Sequence, residues 1–491
     1  LPELLAIKNI SKERTMMALN LAASDKAGIK DLTFFALFSL LFSSMMGSGV
    51  FDIPRNVAHS AGTIAVLISW IITAIGMLSL VASFVYIFYK RPDIQSGIYG
   101  YAKYGFGDYA GFNVAIGYGL NALLGNASYL IYVFATLANF NFFKKFTSHW
   151  NLISLIGESL LVWITLFFVM GGIKKASIGN ILITCIKLLA LVIVIILFVI
   201  GFEWGKFKAN IMITPHFGSI FAQIKNTMLV TVWDFLGIEA ACIYAMRAKN
   251  VQDVTKATIL GVCVVLLLDS LISILPYGIM ASNQIGNLKV PSTGSILLAM
   301  HYLDSAVFIR IAVIISVLGA LLAWTMLAVN IFYLAAVDKT MPKVMAKMNA
   351  KDVPINSLFA SSIILQIFIL IAFFDNLKYL AMIQLASSLI IIPYLLAAVF
   401  AFKLLIAQKK FDAFSFLKGT VAILYCFWLV YAGGIKYILF STLLYAFSII
   451  FYIIARKEQN KPVFACKIEL SIFILLILGS IFSLYLWLSK F

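Results

Sequence analysis

Apolar runs of about 20 residues recur along this chain, and no other feature limits its fold as tightly. They lie at 32–60, 63–89, 109–139, 152–171, 178–201, 219–246, 256–280, 307–337, 357–374, 379–405, 417–433, 436–455 and 469–488, separated by short polar breaks. In water, so many runs would need a polar coat. The chain has none to offer, since 63% of its residues are hydrophobic and only 12% are charged. A bilayer removes the difficulty. A helix of about 20 apolar residues spans the hydrocarbon and satisfies its own backbone groups. The expected fold is an all-α polytopic membrane protein with about 12–13 transmembrane helices.

The net charge of +17 raises the question of a nucleic-acid partner. The pattern excludes it, because the basic residues neither gather on one segment nor interleave with stacking aromatics in a polar context. They fall between the apolar runs, where Lys and Arg set orientation. With the N-terminus cytoplasmic, about 25 of the 37 Lys and Arg fall on inside segments, among them Lys90, Arg91 and Lys103, and later Lys339, Lys343, Lys347 and Lys351. Residues 1–31 then form a cytoplasmic tail, and its charged start, Leu1-Pro2-Glu3, is not expected to be a signal peptide. Anionic lipid headgroups are the expected partner of this basic charge. Cys185, Cys242, Cys263, Cys426 and Cys466 are scattered without a CxxC pattern, and the four histidines have no ligand spacing. The thiols read as core residues, and neither a metal nor a cofactor is expected.

Two runs carry features that a plain membrane helix avoids. The first contains Met46-Gly47-Ser48-Gly49-Val50-Phe51, then Asp52 and Pro54. The sixth contains Trp233-Asp234-Phe235-Leu236-Gly237-Ile238-Glu239. Glycine costs about 1 kcal/mol in a helix interior, so the Gly-Ser-Gly cluster favours unwinding. Unwound backbone survives in a membrane only where it lines a cavity or is buried in protein. Corresponding interruptions in two halves point to a transporter binding site. Spans one and six stand five apart, as a five-plus-five inverted repeat requires. The expected core is therefore LeuT-like, with helices 1 and 6 discontinuous. Its first repeat is 32–201, its second is 219–405, and 417–491 are additional helices.

Ionisable groups inside apolar runs are functional candidates, because burying charge in a bilayer is expensive. Four stand out: Lys187, Asp234, Glu239 and Asp269. Glu239 follows the break at Gly237 by two residues and is a candidate to gate or carry a proton, or else a structural carboxyl. Lys187 sits deep in the fifth run. Its ammonium either takes the place of a sodium ion, tying the first and eighth spans together, or snorkels to an interface. Asp234 stands between Trp233 and Phe235. That setting suits a cationic ligand, by charge and by cation–π attraction, and it equally suits a helix-end cap. Trp324 in the eighth run is either packing or a ligand platform. Asp269 is given no role.

These motifs together resemble a known group. Gly47-Ser48-Gly49-Val50-Phe51 with Pro54 and Ala61-Gly62 is similar to the first-helix signature of the amino acid–polyamine–organocation (APC) superfamily. Gly97-Ile98-Tyr99-Gly100-Tyr101 with Phe106-Gly107 resembles its loop after the second helix. Trp233-x-Phe235-x-Gly237-x-Glu239 resembles the sixth-helix motif of its basic amino acid/polyamine antiporters, and Asp338-x-x-Met341-Pro342 through Val353-Pro354 looks like the loop after the eighth helix. Tyr118, Gly125-Asn126, Ala323-Trp324-Thr325 and Ile392-Pro393-Tyr394 make the chain most like arginine/ornithine and arginine/agmatine antiporters.

The resemblance implies a multi-pass protein of the bacterial inner membrane that exchanges amino acids and is not an enzyme. It implies that Ser48 and the Gly49 backbone hold a substrate carboxylate, with the carbonyls near Met45, Trp233 and Leu236 taking the α-ammonium. Asn126 and Trp324 match positions that hold the cationic end of the side chain. Trp233 matches an aromatic gate, Glu239 a proton-sensing carboxyl, and Lys187 the fifth-helix lysine of sodium-independent members. Asp234 stands where small or apolar residues are usual, which bears on cation selectivity. A homodimer is one assembly open to it. The leading expectation is exchange of cationic amino acids or their decarboxylation products by alternating access. A proton-coupled amino acid symporter and a non-transporting membrane sensor are the alternatives.

Overall fold

The computed structural model describes residues 32–489 except 95, 145–150, 173, 213–216, 241–247, 376–378 and 409–411. The tail 1–31 and Cys242 lie outside the described residues. Helices dominate, and the described residues form no strand beyond the isolated bridges Leu32–Ala248 and Met348–Pro354.

The helices follow the apolar runs closely. In chain order they are α1 (Phe34–Met45), α2 (Gly49–Ala58), α3 (Thr63–Lys90), α4 (Gly97–Phe106), α5 (Asp108–Leu137), α6 (Leu152–Met170), α7 (Lys174–Ile200), α8 (Trp204–Met212) and α9 (Ile220–Trp233). They continue as α10 (Val251–Ile274), α11 (Ser282–Gly286), α12 (Ser292–Ala299), α13 (Leu303–Val337), α14 (Ile355–Phe374), α15 (Tyr379–Ile406), α16 (Ala413–Ala432), α17 (Gly434–Glu458) and α18 (Lys467–Leu488). Among the described residues 12 spans are long and apolar enough to cross a membrane, α1 and α2 counting together as one. The sixth run is the one not among them. Its helix α9 has 14 residues, and the chain then turns through Asp234–Glu239.

Helix α5 is the axis of the bundle. It is buried along almost its whole length, and both α13 and α15 pack on it. Hydroxyls fasten α9 beside α3. Ser69 Oγ lies 2.6 Å from Thr227 Oγ1, and one turn along Thr73 Oγ1 donates to Thr231 Oγ1 at 2.8 Å. On its other side, Ser387 Oγ of α15 donates to Leu229 O at 3.1 Å. The lipid supplies no hydrophobic drive between helices, so short polar side chains at matched spacing act as glue.

The faces turned away from the bundle are apolar as well, as Ile71, Ile75 and Leu78 on α3 and Leu182, Leu189 and Ile196 on α7 illustrate. The cysteine expectation fails in part, for this reason at Cys185 and Cys263 and because Cys466 lies in the break before α18. Cys426 is buried, but Cys185, Cys263 and Cys466 are exposed. An apolar setting does not separate core from lipid-facing positions when the solvent is itself apolar.

Candidate substrate site

The first span stops at Met45 and resumes at Gly49. Between them, Met46 N–H donates to Phe42 O at 2.8 Å, closing the last turn of α1, and Gly47 N–H donates to Met45 O at 3.0 Å. Close approach explains both glycines. A Cβ at Gly47 would lie 2.1 Å from the Tyr129 hydroxyl, and one at Gly49 would lie 1.6 Å from Asp234 Oδ1. The interruption releases carbonyls from the helix ladder, and side chains from other helices take them. The Lys187 ammonium on α7 donates to Met46 O and, at 3.5 Å, to Ser43 O. Trp324 Nε1 on α13 donates to Ser44 O at 2.9 Å. The Ser48 hydroxyl is 2.7 Å from the Tyr379 hydroxyl on α15. Lys187 is completely buried and does not reach an interface. Among the described residues its hydrogen bonds go to the first span, and Trp324 supplies a bond between the eighth span and the first.

The second interruption faces the first. After Trp233 the backbone closes by short i to i+3 bonds, Phe235 N–H to Val232 O at 3.0 Å, Leu236 N–H to Trp233 O at 3.2 Å and Ile238 N–H to Phe235 O at 3.3 Å. Gly237 has φ of +100°, the left-handed region that glycine reaches without strain, and a Cβ there would lie 2.6 Å from Ser44 Oγ. Ser44 Oγ also sits 3.3 Å from Gly237 O. The two segments therefore touch twice, Ser44 against Gly237 and Gly49 against Asp234.

Aromatic rings wall this meeting point. Trp233 meets Tyr129 edge-on with centroids 5.8 Å apart, and a Cβ at Gly125 would lie 3.0 Å from Trp233 Cη2. Trp324 packs beside Tyr118 at 6.1 Å. Asn126 Nδ2 donates to Thr325 Oγ1 at 2.8 Å, which leaves its buried Oδ1 without a partner among the described residues. The expected ammonium-binding carbonyls are partly engaged, Met45 O by Gly47 N–H and Trp233 O by Leu236 N–H, and Leu236 itself is buried.

The carboxyl groups divide by their partners. Glu239 Oε2 accepts from the Tyr394 hydroxyl at 2.8 Å, and the Tyr118 hydroxyl also faces that carboxyl. Asp52 Oδ1 accepts from Ser292 N–H, the first residue of α12, at 3.0 Å, and Oδ2 pairs with Arg55 at 3.2 Å. Asp234 and Asp269 differ. Each is at most 1% exposed, and none of their four carboxyl oxygens has a hydrogen-bond partner among the described residues. They interact electrostatically with each other, and Asp52 acts on Asp234 in turn. Asp234 is the residue that ends α9, yet among the described residues its side chain caps nothing. Phe235 points elsewhere, meeting Trp70 at 6.4 Å, so it does not join Trp233 around Asp234.

A cavity of about 600 Å³ opens at the end of the bundle where α2 and α5 finish. Arg55, His59, Tyr132, Asn139, Lys289 and Tyr379 help to line it. Tyr379 thus stands between this cavity and Ser48, with the Tyr132 ring 4.9 Å away. At the other end the Tyr99 and Thr340 hydroxyls lie 2.8 Å apart and Lys103 pairs with Asp338 at 3.3 Å. Tyr129, Tyr132 and Tyr379 are not among the sequence candidates, and Tyr394 enters there only as part of a motif that carries the resemblance. Buried hydroxyls within apolar runs were the signal available for them.

The comparisons with known proteins agree with this architecture. Residues 32–468 match the sequence family described as amino acid permease. The chain belongs to the amino acid permease family. Among its curated relatives, the arginine/ornithine antiporter of Pseudomonas aeruginosa is 38% identical over 464 residues, 92% of this chain and 96% of that protein. The arginine/agmatine antiporter of Chlamydia caviae is 34% identical over 471 residues, 93% of this chain and 97% of the relative. Both relatives are antiporters, and this permease is a transporter, not an enzyme. A solved structure described as the substrate-bound outward-open state of a Na⁺-coupled sialic acid symporter aligns with a TM-score of 0.51 at 13% identity, covering 84% of this chain and 91% of that one. At that identity the likeness speaks for the fold alone, and it supports the LeuT-like class.

Proposed function

We propose that this permease exchanges cationic amino acids such as arginine, ornithine and lysine, or their decarboxylation products, across the bacterial inner membrane by alternating access. Its N-terminus is cytoplasmic, as the distribution of Lys and Arg favours. The two repeats, 32–201 and 219–405, form the working core, and residues 417–491 are appended to it. The relatives' arginine antiport supports the substrate class. The observation that carries the reading is the contact between two interrupted segments inside the bundle, with the Asp234 carboxyl, unpartnered among the described residues, at their junction. Discontinuous helices present dipole ends and free backbone groups to a substrate near mid-membrane.

In this reading Ser48 and Gly49 belong to the substrate-binding end of α2. Asn126, Trp233 and Trp324 shape the chamber, together with the backbone at Met45 and Leu236. Lys187 holds the first interruption in place of a metal ion. Glu239, through Tyr394, links proton occupancy to the sixth segment, and Asp234 favours cations. Trp324 and Tyr379 must release Ser44 and Ser48 as substrate enters, so each cycle breaks and remakes those bonds. An efflux screen from liposomes preloaded with labelled arginine tests the substrate class. External arginine, ornithine, lysine and agmatine should drive efflux; efflux driven only by neutral amino acids would overturn it.

A further inference from the structure

We propose that the cavity where α2 and α5 finish is a second binding site, which holds the carboxylate of an incoming α-amino acid before Tyr379 gives way to Ser48. The inference rests on the transport reading above and adds a site to it. In the orientation proposed there, this end of the bundle faces outward. Asn56, which lines the cavity, follows Ser48 by eight residues along α2, which at 1.5 Å each is about 12 Å. The cavity is therefore a place apart from the first interruption. Tyr379 belongs to both, since it lines the cavity and its hydroxyl lies 2.7 Å from that of Ser48. Displacing its ring opens the way from the last turn of α2 to the first.

The lining is rich in donors, and no carboxylate lines it among the described residues. Arg55 Nε, Asn56 Nδ2 and the Tyr132 hydroxyl are buried and have no hydrogen-bond partner among the described residues. Asn56 as a whole is 3% exposed. A guanidinium Nε–H and an amide Nδ2–H can only donate, so what they lack is an acceptor. A buried donor left unmatched costs about 1–3 kcal/mol, which an arriving acceptor offsets. The nearest carboxylate is spent, because Asp52 Oδ1 accepts from Ser292 N–H and Oδ2 pairs with Nη1 of Arg55. That leaves the Nε edge of the guanidinium free of it. Lys289 adds an ammonium that no carboxylate pairs with among the described residues. Its loop is held to the end of α5 by Asn139 Nδ2, which donates to Val290 O at 2.8 Å. A carboxylate accepts several such bonds at once. An amine without a carboxyl group brings only donors and positive charge towards Arg55 and Lys289.

The test is uptake by right-side-out membrane vesicles that hold the full chain and are loaded with unlabelled arginine. Labelled arginine is compared with labelled agmatine, which differs from it by the carboxyl group. Asn56→Ala removes one donor, and Arg55→Lys keeps the charge beside Asp52 while removing Nε. In each variant the external KM for arginine should rise at least about fivefold, with the maximal rate and the KM for agmatine within about twofold of the parent's. Lys289→Glu reverses a charge on the cavity wall and should move the two KM values in opposite directions, arginine up and agmatine down. A defect of folding or of ring movement would move both substrates together. Equal shifts for arginine and agmatine in Asn56→Ala and Arg55→Lys, or no shift in either variant, would overturn the inference. Uptake of neither substrate by the parent would overturn the transport reading as well, whereas uptake with an unaltered KM ratio in the variants removes this inference alone.

Discussion

Replacing Gly49 with alanine puts a methyl group where the two interrupted segments touch. On the observed backbone the new Cβ lies 1.6 Å from Asp234 Oδ1 and 2.8 Å from Trp233 Cδ1. Even a favourable carbon–oxygen contact needs about 3.3 Å, so the carboxylate must retreat by roughly 1.7 Å. Overpacking of this kind typically costs about 1–3 kcal/mol. That is roughly a 5- to 150-fold loss in the population of the native arrangement. No hydrogen bond from the described residues fixes the Asp234 carboxyl, so its removal should relieve the nearer clash, while the contact with Trp233 remains. Gly49→Ala should therefore lower the melting temperature of the purified protein. The double variant Gly49→Ala/Asp234→Ala should fall short of the summed single effects, by about 1 kcal/mol or more of coupling. Thermal unfolding of the four proteins in detergent measures this. Strict additivity, or a Gly49→Ala protein as stable as the parent, would refute the claim that the two segments meet at these residues.

Three further outcomes follow from the same geometry. Lys187→Met strips the Met46 and Ser43 carbonyls of a charged donor whose bonds are worth about 1.5–3 kcal/mol each, so exchange in liposomes should fall at least about tenfold; near-parental flux would remove Lys187 from its holding role. Trp324→Ala should abolish exchange, and Trp324→Phe, which keeps a ring but loses the 2.9 Å bond to Ser44 O, should retain part of it. Equal rates for the two variants would show that the indole bond and the ring do not act separately. Glu239→Gln should flatten the pH dependence of exchange, and Tyr394→Phe, which removes the hydroxyl bonded at 2.8 Å, should move the profile in the same direction; profiles superimposable on the parent's would exclude Glu239 from proton sensing.

The spans were the most legible part of this protein, because in lipid an apolar run must close its own hydrogen bonds. The runs at 63–89, 152–171 and 379–405 became Thr63–Lys90, Leu152–Met170 and Tyr379–Ile406. The non-helical residues between Met45 and Gly49 fall on the Gly-Ser-Gly cluster that the sequence singles out. Partners across the bundle were not. Nothing local to Ser48 names Tyr379, which is 331 residues away in sequence, and nothing local to Gly49 says that Asp234 presses against it. The exposed Cys185 and Cys263 escaped for a different reason, since both sides of an outer span are apolar. Long-range contacts between interrupted segments depend on how helices are laid side by side, and hydropathy along a single chain does not encode that.

The central claim, obligatory exchange of cationic substrates, is tested most directly by counterflow. Liposomes holding the purified protein are loaded with unlabelled arginine, and uptake of labelled arginine is followed with and without that internal load. Uptake should be rapid with the load and negligible without it, with one substrate leaving for each that enters. Uptake that needs no internal substrate and instead follows an imposed proton gradient would contradict exchange and establish symport in its place.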